Sequence, residues 1–284
     1  MKNFFKSVGK AFLYFAVYYG TTMAVSMVVS IVLSTKLSME MMATGQELDT
    51  LALTELLTEQ VMDMAMTMTF VSGVIALLIY WIVFLIRKKK FVKEVGVSAI
   101  SAKSILPIIL LGICFNIFIS VFMSVIPFPQ SWIDSYTANR SVIDNSLMAW
   151  IATVIGAPIV EEVVFRGLMY SRLKKGMPAV VAAVIASIAF GAVHGTIIWA
   201  IYTFVFGMLC IWLYERHQSL TANILFHMAF NLAGMVLSIM AIESEVVSWI
   251  LFAVSAVIGA IALVCVANVA KEISEREEDV VAEE

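Results

Sequence analysis

Eight apolar stretches leave this chain few ways to fold. They lie near residues 11–33, 65–86, 105–126, 146–170, 179–196, 197–214, 219–240 and 246–268. A helix needs about 20 predominantly apolar residues to cross ~30 Å of hydrocarbon, where no water can satisfy an open backbone. Composition agrees: 62% of the 284 residues are hydrophobic and only 14% are charged, against roughly half and a quarter in ordinary globular domains. The expected fold is all-α and polytopic, with about eight transmembrane helices. The first stretch is too long for the apolar core of a cleaved leader, and further spans follow it. Gly195 and Thr196, between the fifth and sixth stretches, mark an expected tight reversal or re-entrant bend.

Lysine and arginine placement sets the expected orientation. Eight crossings put both termini on one side. That side collects Lys2, Lys6, Lys10, the run Arg87–Lys90, Lys93, Lys103, Arg172, Lys174, Lys175, Arg216, Lys271 and Arg276. The opposite side keeps only Lys36 and Arg140. The expectation is an integral, multi-pass protein with both termini cytoplasmic, in the plasma membrane if the source is bacterial.

Four regions follow. Residues 1–144 form an N-terminal membrane region, with an outer amphipathic segment near 37–63 where leucines recur at helical spacing among acids. Residues 145–240 hold the polar motifs, 241–270 a last span, and 271–284 an acidic tail expected to fray in the cytoplasm. Cys114, Cys210 and Cys265 are scattered singly in apolar runs and read as buried small side chains, not as a disulfide framework. No basic aromatic groove points to nucleic acid.

Ionisable side chains near a bilayer centre are expensive and usually face a protein interior or a wet cavity. Glu161, Glu162, Arg166, His194 and His227, joined by Asn231, lie inside the later stretches. Helical rise places Glu161 roughly 17 Å from Arg172, His227 roughly 17 Å from Arg216, and His194 roughly 24 Å from Pro178. All three fall in the middle zone of the hydrocarbon, so they can meet. Glu162 and Arg166 are i,i+4 with the acid first, the favoured order for an ion pair. Glu161 points about 100° away, has no basic neighbour on its own face, and is left for chemistry. His227 and Asn231 share one helical stripe. Phe190 lies one turn below His194, and the Gly191-x-x-x-Gly195 spacing favours close helix approach.

Neither H-E-x-x-H, G-x-S-x-G nor G-x-x-x-x-G-K-[ST] occurs in the chain. What remains is glutamate plus histidine without a protein nucleophile. Such a set suits water activated by a carboxylate base, with imidazole and amide groups supporting an oxyanion. Two other readings stay open: a non-catalytic membrane scaffold, and a proton-coupled transporter using the midplane carboxylate. The absence of an internal repeat weighs against a transporter.

The stretches "EEVVFR" (161–166), "FGAVH" (190–194) and "HMAFN" (227–231) together resemble the CaaX-protease and bacteriocin-processing family of intramembrane proteases, also called CPBP or Abi. The resemblance covers roughly residues 145 to 240. It implies a helical bundle around a polar cavity open to the cytoplasm, and an endopeptidase acting on a membrane-associated peptide or protein, lipidated or not. It also implies that Glu161 and His194 activate water, that His227 and Asn231 stabilise the oxyanion or position the peptide, and that Glu162, Arg166 and Phe190 support them. Some relatives serve in bacteriocin immunity or regulation. No cofactor is expected to be required; if zinc is present, Glu161, His194 and His227 are the available ligands.

Overall fold

The computed structural model describes residues 2–44, 50–140, 143, 146–240, 242 and 244–283; the side chains of Lys2 and 271–283 lie outside this description. Eleven described helices can be numbered in chain order. The first six are α1 (Lys2–Thr44), α2 (Thr50–Asp63), α3 (Ala65–Ile86), α4 (Phe91–Val95), α5 (Ala102–Ser124) and α6 (Gln130–Arg140). Then follow α7 (Leu147–Leu173), α8 (Ala179–Ala192), α9 (Ile197–His217), α10 (Leu220–Met240) and α11 (Glu245–Glu283).

The fold is an all-α, polytopic membrane bundle: seven described helices are long and apolar enough to cross a bilayer. The fifth predicted span is the exception. α8 has only 14 residues, about 21 Å of helix, and stops before His194. The sequence stretch 179–196 therefore divides into a short helix and a turn. Gly195 has φ +83° there, a left-handed conformation that glycine adopts without a Cβ clash. Thr196 then caps α9, its side chain accepting from the Trp199 N–H at 3.3 Å. The expected reversal is present. Of the two glycines, Gly191 serves helix approach, whereas Gly195 serves the turn.

At the other boundaries the structure is also more detailed than the pattern. α1 continues to Thr44, through the start of the predicted amphipathic segment, and α2 supplies the rest without burying a residue. Residues 45–49 of that segment lie outside the described residues. α11 continues to Glu283 through the acidic tail.

Around the bundle, Phe12, Met27, Leu106, Val180 and Ile261 are exposed, the arrangement expected where the solvent is lipid. Inside, Phe165, Leu168, Phe190, Phe206 and Phe226 form one buried core with Tyr80 and Tyr170. α5 packs along α10 and α11, α8 against α9, and α1 against α3 and α7. Glycine permits the tightest crossing. A Cβ on Gly112 of α5 would sit 2.5 Å from the Phe226 carbonyl oxygen of α10 and 2.9 Å from the Ala229 Cβ. Backbone cannot retreat from that clash without separating the helices. Gly112→Ala is expected to lower stability by about 1–3 kcal/mol. Gly9→Ala, where nothing lies within 4 Å, is expected to leave stability the same or slightly raised, since alanine is the better helix former; thermal unfolding of the purified protein in detergent compares them.

Candidate active site

The motif helix α7 is not a regular α-helix. Ile151–Gly156 and Glu162–Tyr170 are π-helical, with α-helical turns before, between and after them. Local sequence supplies a cause for the first widening. The Ala157 N–H bonds the Ala152 carbonyl, five residues back, so the Thr153 carbonyl loses its i+4 donor. Its i+5 neighbour is Pro158, which has no N–H. A buried carbonyl needs a partner, and Asn231 of α10 supplies it: Nδ2 donates to the Thr153 oxygen at 2.7 Å. One function of Asn231 is therefore to tie α10 to the irregular part of α7. Its second N–H remains for other work.

Glu162 is fully buried, as is Arg166, whose side-chain exposure is 1%. Arg166 Nη1 donates to Glu162 Oε1 at 2.8 Å, so the i,i+4 pairing expected from sequence is present. Nη2 reaches the Gly207 carbonyl at 3.4 Å, and the guanidinium carbon lies 4.4 Å from the Phe190 ring centroid. Two more donors converge on the same carboxylate from α10. His227 Nδ1 lies 2.9 Å from Oε1, and Asn223 Nδ2 donates to Oε2 at 3.2 Å. With three partners, this carboxylate is held in place. Such a buried charge is tolerable because a cation and two further polar groups contact it.

Glu161 has a different environment. Its side chain is 15% exposed, and its Oε2 lies 3.7 Å from His227 Nε2. The single imidazole of His227 thus spans the two adjacent glutamates. Donation from Nδ1 to Glu162 orients the ring and turns Nε2 toward Glu161. Sequence reasoning found no cation on the face of Glu161; the histidine reaches it from another helix.

His194 sits in the turn after α8. Its Nδ1 lies 2.7 Å from the Phe190 carbonyl, an oxygen that can only accept, so Nδ1 carries the proton and Nε2 is left as the free ring nitrogen. The Phe190 ring meets both imidazoles edge-on, with centroids 4.7 Å from His194 and 6.2 Å from His227. Phe206 covers His227 at 4.6 Å. All seven residues singled out from the sequence belong to this one neighbourhood or brace it.

Asn223 was missed. It lies four residues before His227, on the same stripe, and also donates to the Cys210 carbonyl at 2.7 Å. The i,i+4 series Asn223–His227–Asn231 was the available signal. Tyr202 and Phe230 were missed too, because an aromatic residue in an apolar run carries no mark of its position. Both line a cavity of about 420 Å³ beneath α6. Its walls are mostly apolar, with Asn116, Tyr136 and Arg140 among the polar contributors. Phe230 lies 4.7 Å from Phe206, which covers His227. α6 also reaches the His194 turn, through Tyr136 against Trp199 at 5.7 Å. This cavity lies at the end of the bundle away from the basic loops, whereas the resemblance implies an opening on the cytoplasmic side.

Zinc requires donors at roughly 2.0–2.2 Å in tetrahedral geometry. Here His227 presents Nδ1 to Glu162 and Nε2 to Glu161, and His194 is anchored to a carbonyl. Among the described residues no three His, Cys, Asp or Glu side chains are grouped so that they could hold a metal. Each imidazole is fixed through Nδ1 and keeps Nε2 outside any hydrogen bond among the described residues, an anchoring that metal-binding histidines also use.

Fold and site together define a polytopic helical membrane protein with a buried carboxylate–imidazole centre. Residues 143–233 match the family model described as "Rce1-like: Type II CAAX prenyl endopeptidase Rce1-like". The match contains every motif residue, and it bears out the resemblance to the CPBP family. No curated protein and no solved structure gives a significant match to the chain.

Proposed function

We propose that this protein is an intramembrane endopeptidase in which Glu161 is the general base. The observation that carries this reading is the contrast between adjacent glutamates. Glu162 is locked by Arg166, Asn223 and His227, while Glu161 is partly accessible, with the His227 Nε2 3.7 Å away. A carboxylate open to water can take a proton from it; Glu162, held by three donors and sealed from water, is poorly placed to do so.

The proposed reaction needs no metal. Water lies between Glu161 and His194 Nε2, and Glu161 takes one of its protons. The oxygen attacks the peptide carbonyl carbon, and the carbonyl π pair moves onto oxygen. The second Asn231 N–H faces the oxyanion, and the His227 ring flanks it. Collapse breaks the C–N bond, Glu161 returns its proton to the leaving nitrogen, and a carboxylic acid and an amine result. Arg166 and Glu162 touch no reacting atom; they position His227. The cavity beneath α6 is the proposed seat of an apolar peptide segment, with Arg140 at its edge.

Family resemblance and a membrane-embedded site favour a membrane-associated substrate, lipidated or not, and the lysine bias favours cytoplasmic termini. Purified protein incubated with lipidated and unlipidated peptides, with mass spectrometry of the termini, tests the reading. Cleavage that persists in a strong chelator is the expected result. Chelator inhibition reversed by added metal would replace the proposed mechanism. Absence of cleavage across the panel would favour a scaffold.

A further inference from the structure

A second cavity, of about 340 Å³, opens at the end of the bundle where the basic loops gather. It lies between the start of α1, the end of α3, α4 and the end of α7. Lys6, Lys10, Arg87, Lys89, Arg172 and Lys175 line it, against one carboxylate, Glu94. That carboxylate is already committed: Lys89 Nζ lies 2.7 Å from Oε1 and Arg172 Nη2 2.8 Å from Oε2. The Lys89 hydrogen bond comes first among the causes that hold the Glu94 carboxyl below its usual range. It therefore stays charged and neutralises only part of its surroundings. Lys6, Lys10, Arg87 and Lys175 make no ion pair among the described residues.

Packing forces these like charges together. A Cβ on Gly176, in the loop after α7, would sit 2.7 Å from the Ser7 Cβ and 3.1 Å from the Phe4 backbone of α1. This contact holds the lysines of α1 against Lys175. Beneath them Tyr14 and Phe84 are buried and stacked, with centroids 6.1 Å apart. The cleft thus has a cationic rim over an apolar aromatic floor. Excess positive charge gathered around a concave opening favours a compact anion with several acceptor oxygens.

We propose that this cleft binds a phosphate-bearing anion, either the headgroup of an anionic phospholipid or a soluble phosphate. The proposal is independent of the protease reading. Full-length protein in a neutral detergent at low ionic strength is titrated with dihexanoyl phosphatidylglycerol, dihexanoyl phosphatidylcholine, glycerol 3-phosphate and inorganic phosphate, with thermal stabilisation as the readout. Saturable stabilisation by phosphatidylglycerol but not phosphatidylcholine is expected. K6Q/K10Q should weaken it roughly 25-fold, since each basic group near such a surface contributes about a factor of five. The control K88Q/R216Q removes the same charge outside the cleft and should weaken it less than about threefold. Equal stabilisation by glycerol 3-phosphate or inorganic phosphate, with the same variant pattern, would assign the site to a soluble ligand. Equal weakening by both double variants, or stabilisation by phosphatidylcholine as strong as by phosphatidylglycerol, would overturn the proposal.

Discussion

Glu161→Gln is expected to lower kcat for peptide cleavage by about 10²–10⁴-fold, the range for loss of a general base, in a protein that still folds and inserts. The amide keeps the size of the side chain and can still face His227, so packing changes little. It cannot take a proton from water at neutral pH. His194→Ala should also depress kcat, through loss of the free Nε2 beside the reacting water. Side-by-side kinetics on one cleaved peptide, with thermal unfolding as the folding control, reads both. Retention of full kcat in Glu161→Gln would remove this glutamate from the reaction and leave the free Nε2 of His194 as the base.

The second large effect concerns stability. Arg166→Met should destabilise the fold by about 3–5 kcal/mol, because it leaves the fully buried Glu162 carboxylate without its cation. The Gly207 carbonyl loses a donor at the same time, and Phe190 loses the guanidinium over its face. Adding Glu162→Gln to that variant removes the stranded charge and should restore part of the loss. Such non-additivity is the signature of a coupled buried pair. Activity should not return with stability, since His227 loses the carboxylate that orients it. Chemical or thermal unfolding of the single and double variants in detergent provides the cycle. Losses that merely add would mean that the pair is not coupled in the folded state.

Gly112 shows why some of this architecture is legible only afterwards. In the sequence it is one small residue in an apolar run. In the fold it lets α5 approach the Phe226 backbone, and α10 carries Asn223, His227 and Asn231 on the helix so placed. The Thr153–Asn231 bond is similar. Pro158 announces a missing donor, but nothing local says that the orphaned carbonyl will be met by an amide from α10.

The sequence by itself determined the class of fold, because hydrocarbon demands uninterrupted helices of nearly fixed length and the apolar runs have that length. It also determined the Glu162–Arg166 pair, since i,i+4 neighbours meet on any helix, and it marked Glu161, His194 and His227 as anomalies in an apolar medium. The rotation and depth of each helix were decided by tertiary packing. That packing placed His227 between two glutamates 65 and 66 residues away, recruited Asn223, shortened the fifth span and set the α6 cavity beside the site. Contacts of this kind depend on how side chains of different helices interlock, and periodicity along one helix carries no record of its partner's angle.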